Sequence, residues 1–186
     1  MGLRTATDLF SEWADNGRDE GMERGHAPSV DIMLARLLDG WNQPFTAIDI
    51  GCGNGWVVRR LGAHALCQHA SGVDGAPSMI AKARETDPEG DYVEAMLPDW
   101  KPSEAVDLIH TMECLYYLED PLGFLHVLHD VWLRPGGRMV QHLGRLGRAV
   151  CRHHALPLQG ADAFFRRHGP QLRHFPAGQR DRAVVP

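Results

Sequence analysis

The chain has 186 residues, 44% of them hydrophobic, and a formal net charge of −5, a size and composition that suit one globular domain with its own core. No apolar stretch reaches membrane-spanning length and residues 1–10 lack the apolar centre of a signal peptide, so a cytoplasmic protein is expected rather than a membrane or secreted one. Cys52, Cys67, Cys114 and Cys151 are scattered without C-x-x-C spacing, and His153 and His154 are adjacent rather than four apart. That pattern argues against a disulfide framework and against a metal centre.

Charge is unevenly spread. Through Gln141 there are 22 acidic against 11 basic residues, whereas from His142 onward 8 arginines face 2 aspartates. Phosphate affinity rests on clustered positive charge, so the acidic body excludes general nucleic-acid binding and leaves only the tail as a weak possibility.

Three segments are expected: a cap or lid over 1–28, a core over 29–141 and an atypical basic, disordered tail over 142–186. In the first, residues 12–26 are dense in charge and glycine, which fits a solvated connector or a mobile lid whose contacts would be Met22 and His26. Pro28 and Ser29 then supply a start for a helix over 31–41, with Ile32, Leu34, Leu37, Leu38 and Trp41 as its apolar pattern.

Residues 45–50 form a short apolar, β-branched strand, and 56–65, with Val57, Val58 and Leu61, form a helix. Between them Gly51, Gly53 and Gly55 alternate with Cys52 and Asn54. Glycine accepts positive φ and has no Cβ, so the chain can turn sharply and bring its backbone against a ligand. A glycine turn that binds nothing is the competing reading, which Asp49 weakens, because a carboxylate near the end of a buried strand needs a partner. In G-x-G-x-x-G the last glycine lies one residue later than Gly55, where bulky Trp56 stands, so a nicotinamide cofactor is disfavoured.

The run Asp49-Ile50-Gly51-Cys52-Gly53-Asn54-Gly55 instead resembles the first motif of the class I S-adenosylmethionine (SAM)-dependent methyltransferases, in particular small-molecule enzymes with a methyltransferase type 11-like domain. The later elements continue the likeness in order. A second strand over 70–74 ends in Asp74-Gly75, and a carboxylate there can accept both ribose hydroxyls, although a helix-capping turn would use the same residues. The resemblance implies Asp74 on ribose, Gly75 beside it and Met79 near adenine. A third strand over 92–95 is followed by Met96-Leu97-Pro98. Here the family pattern implies Glu94 accepting from the adenine amino group and the backbone of Ala95 and Met96 meeting the ring, with one residue deleted relative to the usual spacing.

Residues 106–111 read as a continuous apolar strand of a parallel sheet covered on both faces. Ligands in such sheets lie beyond the carboxyl ends of the strands, where the strand order reverses. The following Thr111-Met112-Glu113-Cys114-Leu115-Tyr116-Tyr117 resembles the family's fourth motif. It places Thr111 with the cofactor residues Asp49, Gly51, Cys52, Gly53 and Gly55, and offers Glu113 as general base and Tyr116 or Tyr117 as substrate-orienting groups. Each of the three could equally serve packing or cofactor support. A helix with Phe124, Leu125, Leu128, Val131 and Trp132 and the turn Leu133-Arg134-Pro135-Gly136-Gly137 lead to a fifth strand.

The fold expected is α/β, a Rossmann-like, doubly wound, mostly parallel sheet. The function implied is methyl transfer from SAM to a small-molecule acceptor, an in-line displacement in which the protein chiefly aligns donor and nucleophile. A catalytically inactive SAM-binding or interaction module and a nicotinamide-dependent oxidoreductase are the alternatives. From His142 the vocabulary changes, with no Glu, Lys, Ser, Thr, Asn, Ile, Met, Trp or Tyr. The final antiparallel strand pair of the family is not recognisable there, so a sheet lacking its last strands, with an open edge at the fifth, is expected. An out-of-frame or misjoined end, or a basic appendage for an acidic partner or RNA, would explain such a tail.

Overall fold

A computed structural model describes residues 5–142 and the backbone of 148–152. The expectations for the tail over 143–147 and 153–186 lie outside the described residues. The elements are α1 (Ala6–Asp15), α2 (Asp19–Leu38), β1 (Phe45–Ile50), α3 (Trp56–Gly62), β2 (Cys67–Asp74), α4 (Pro77–Thr86), β3 (Asp91–Glu94), β4 (Val106–Met112), α5 (Pro121–Val127), a π turn over Leu128–Trp132, β5 (Leu133–His142) and β6 (Arg148–Arg152).

The strands form one sheet in the order β3-β2-β1-β4-β5-β6. Strands β1 to β5 are parallel, as the continuous apolar runs require. Alternate side chains feed two cores. Phe45, Ala47, Leu108 and Val140 pack under Val30, Met33 and Leu37 of α2 and Val57 and Leu61 of α3. Ile48, Ile50, Ile109 and Met139 pack on the other face against Phe124, Leu125, Leu128 and Trp132. Trp132 meets Phe124 and Trp100 edge to face, each with ring centroids 5.5 Å apart, the arrangement the ring quadrupoles favour.

Two expectations are corrected. Residues 12–15 and 19–26 are helical, joined by a turn at 16–18, and the boundary expected between 28 and 29 falls inside α2. Pro28 cannot donate to the preceding turn, yet α2 runs through it because Val30, Met33, Leu34 and Leu37 bury their side chains; packing, not propensity, decides. The open edge expected at β5 is covered, since β6 pairs antiparallel with Arg138 to His142. The apolar signal of Ala149-Val150-Cys151 between arginines is too short to announce a strand.

The amino-terminal helices are fastened over the carboxyl ends of the strands. Thr5 and Asp8 form a reciprocal capping box on α1, and Phe10, Trp13 and Ala14 pack on Ala76 and Met79 of the α4 start. Asp19, 3% exposed, accepts from Asn54 Nδ2 of the glycine loop and from Lys82 Nζ of α4, each at 2.7 Å. Burial alone pushes its carboxyl up, but these two hydrogen bonds and the Lys82 charge outweigh burial and hold it below the usual value. A depressed carboxyl contributes stability above its unfolded pKa, and that contribution disappears as pH falls through the folded one. Asp19→Ala is therefore expected to lower unfolding stability in urea by about 1.5–3 kcal/mol at neutral pH, with the difference from wild type shrinking below about pH 4.

Candidate functional site

The three loop glycines all adopt positive φ, +73° at Gly51, +52° at Gly53 and +77° at Gly55. Two of them also make room for neighbours. A Cβ on Gly51 would stand 2.7 Å from Cys114 Cβ, and one on Gly55 2.4 Å from the Tyr92 ring, separations no side chain tolerates. The third glycine thus sits one residue early because it admits Tyr92, whose hydroxyl is held by Asp87 at 2.8 Å. Gly53 differs, because a Cβ there would meet only Met79 Sδ, at 3.8 Å; its bare backbone borders the cavity.

The loop is tied down by its own amides. Gly51 and Cys52 both donate to the Val73 carbonyl, and Gly55 to Cys52. Asp74 closes the set, accepting from Gly53 N at 2.9 Å on one oxygen and from Ala76 N at 2.8 Å on the other. Burial raises its carboxyl pKa, with those amides partly offsetting the shift. On the adjacent strand Asp49 is 2% exposed and its Oδ1 accepts from His110 Nδ1 at 2.7 Å. Asp49 and His110 are register partners across β1 and β4. His110 Nε2 is buried without a partner.

A cavity of about 680 Å³ opens over this crevice. Asp49, Gly51, Cys52, Gly53, Asp74, Gly75, Met79, Ala95, Met96, Glu113, Tyr116 and Tyr117 line it, as do Met22 and His26 of α2. The sequence-derived residues therefore converge, with three exceptions. Gly55 lies behind the loop against Tyr92. Glu94 is exposed at the β3 end, outside the cavity. Thr111 is buried but does not line it, because strand alternation turns it to the face opposite His110. The Ala95 amide is already donated to Asp74 O, so of the two backbones expected at the ring only that of Met96 is uncommitted to this strand bond.

Phe10, Trp13, Asp19, Asn54 and His110 also line the cavity and were missed in the sequence. His110 carried a usable cue, a polar residue in an otherwise apolar buried strand that must find a partner. The roof residues carried none, since only the fold brings α1 back over the strand ends.

Glu113 follows β4 with φ +50°, a conformation uncommon for a side chain larger than glycine. Its N–H donates to the His142 carbonyl at 2.8 Å, and its Oε1 lies 4.0 Å from His142 Nδ1. The Tyr116 and Tyr117 rings are 4.4 Å apart. Burial pushes both phenols up, so they act as hydroxyl donors and ring faces rather than bases. The thiols of Cys52 and Cys114 are raised by burial and by the charges of Asp74 and Asp49, which rules them out as thiolate nucleophiles near neutral pH. Among the described lining residues there are five carboxylates and no lysine or arginine, so the cavity favours a cation.

Known proteins share this arrangement. Residues 12–174 match a family model described as a methyltransferase domain. A trans-aconitate 2-methyltransferase of Escherichia coli O1:K1 is 36% identical over 122 residues, covering 58% of this chain and 47% of the relative. The chain thus spans about half the length of the curated relatives it matches. Among solved structures, an S-adenosylmethionine-dependent methyltransferase from Mesorhizobium loti is 28% identical, with a TM-score of 0.53 over 62% of this chain and 52% of that one. The DhpI–SAH complex, at 17% identity, shares the fold with a TM-score of 0.62 over 85% of this chain and 84% of that one. With the ordered motifs, the reversal of strand order and a family match over most of its length, the chain belongs to the methyltransferase domain family.

Proposed function

We propose that the cavity binds SAM and that the chain transfers a methyl group to a small-molecule acceptor. The observation that carries the reading is the half-buried Asp74 carboxylate at the end of β2, fixed by the Gly53 and Ala76 amides on the wall of the cavity. The rest of the lining fits the cofactor. Gly53 leaves bare backbone toward the space, and the excess of carboxylates suits a molecule bearing a sulfonium and an ammonium.

In this reading Asp74 accepts the ribose hydroxyls, Met79 and Met96 flank the adenine, and the Gly51–Gly55 loop faces the amino-acid end. SAM supplies a methyl carbon already activated by the sulfonium charge. The chain therefore has to align an acceptor with it and exclude water, which α1, through Phe10 and Trp13, is placed to do. Glu113 takes the proton of a protonated acceptor and the Tyr116–Tyr117 pair orients it. Glu94 and Thr111 have no role here, since both lie outside the cavity. The acceptor resembles those of the relatives in being a small molecule, since the E. coli relative is named for trans-aconitate; its attacking atom is N, O, C or S.

Calorimetric titration with SAM and with NAD tests the reading. Binding of SAM but not NAD is expected, and tight NAD binding or a folded protein that ignores SAM overturns it. Labelled-methyl transfer to a panel of small-molecule acceptors separates an enzyme from an inactive binding module, and Glu113→Gln should lower the turnover of a protonated acceptor by about a hundredfold or more. Asp74→Ala should weaken SAM by about 1–3 kcal/mol. Because burial raises the Asp74 pKa and ribose hydroxyls favour its charged form, SAM affinity should fall as pH drops through that raised value. In Asp74→Asn this acid limb should be lost, as read from Kd against pH.

A further inference from the structure

We infer that the methyl acceptor is an amine, bound as an ammonium ion by Glu113 and an aromatic wall of Phe10, Trp13, Tyr116 and Tyr117. The inference rests on the cofactor reading above and names the acceptor's class. With Asp74, Met79, Met96 and the glycine loop given to the cofactor, the acceptor falls to the lining that α1, α2 and the turn after β4 contribute. The aromatic part of that lining is continuous. The Trp13 and Phe10 rings are 5.5 Å apart, Phe10 and Tyr117 6.1 Å, and Tyr117 and Tyr116 4.4 Å. All four residues are half-buried and line the cavity.

Glu113 precedes the two tyrosines in the turn after β4, and its side chain is 36% exposed. Glu23 of α2 adds a second carboxylate to the lining. Among the described lining residues histidines are the only basic side chains, and His142, whose Nδ1 lies 4.0 Å from Glu113 Oε1, is not one of them. A negatively charged acceptor would meet carboxylates with no lysine or arginine to offset them. A carboxylate alone would suit any proton-bearing acceptor, and rings alone any apolar one; joined, they select a cation. Transfer to such an acceptor balances without a further reagent. Glu113 takes one proton from the bound ammonium, and the freed nitrogen lone pair forms the N–C bond to the methyl as the C–S electron pair returns to sulfur. S-adenosylhomocysteine, the N-methylated ammonium and one proton to solvent are the products.

The test titrates three probes into the whole chain saturated with S-adenosylhomocysteine: choline, neohexyl alcohol, which is its uncharged analogue with carbon in place of nitrogen, and trans-aconitate. Choline is expected to bind at least about tenfold more tightly than the alcohol, with trans-aconitate the weakest of the three. Phe10→Leu and Tyr117→Leu should each weaken choline about five- to thirtyfold and the alcohol far less, and Glu113→Gln should cut the preference for choline about tenfold. Because the discrimination by charge is read in the wild-type chain, it does not depend on the folding of the variants. No preference for choline over the alcohol, or trans-aconitate binding more tightly than either, overturns the assignment. A folded chain that does not bind S-adenosylhomocysteine rejects the cofactor reading instead. Labelled-methyl transfer to a panel of primary and secondary amines beside trans-aconitate gives an independent answer. Label on amine nitrogen is expected, and label on a carboxylate oxygen, or on no amine, refutes the inference.

Discussion

Two neighbouring parallel strands whose onward connections leave in opposite directions cannot both be covered at their carboxyl ends, and this constraint creates the site. From β1 the chain passes to β2 on one side, and β4 lies against its other flank. The crevice between the two exits receives the glycine loop from β1 and the Glu113 turn from β4, the general location of ligands in open α/β sheets. The buried Asp49–His110 pair spans the same two strands. A lone carboxylate at that depth would be prohibitive, so the pair joins the structural requirement of the sheet to the chemistry above it.

The other walls follow from how the crevice is roofed. Asp19 joins α2, the loop through Asn54 and α4 through Lys82 with a single carboxylate. One buried acceptor that links three elements orders them relative to one another more strongly than separate exposed ion pairs could. Above it, α1 brings aromatic side chains over the strand ends. Removal of water by such a roof strengthens every electrostatic contact below, including those of Asp74 and Asp49.

The electrostatic character of the cavity narrows the chemistry. Its thiols and phenols are held protonated by burial, so the described lining residues offer no thiolate or phenolate nucleophile. What remains are carboxylates, one oriented imidazole and aromatic faces. Such a set suits the proposed displacement at an already activated carbon.

Strand periodicity, the three glycines and the acidic residues after β1 and β2 were legible in the sequence, because each is a local consequence of backbone geometry: positive φ, period-two burial, a carboxylate at a strand end. These local signals determined the α/β class, the order of β1 to β5 along the chain and the convergence of Asp49, Asp74, Glu113, Tyr116 and Tyr117 on one site. Other features were decided only by the tertiary structure, because they depend on atoms far apart in the chain. Gly55 proved to leave room for the Tyr92 ring behind the loop, Thr111 and Glu94 fell outside the cavity, α2 ran through Pro28, and β6 covered the edge of β5. Likewise no local pattern joins Asp19 to Asn54 and Lys82 or Asp49 to His110, since a buried polar group announces that it needs a partner but only the packed fold supplies it.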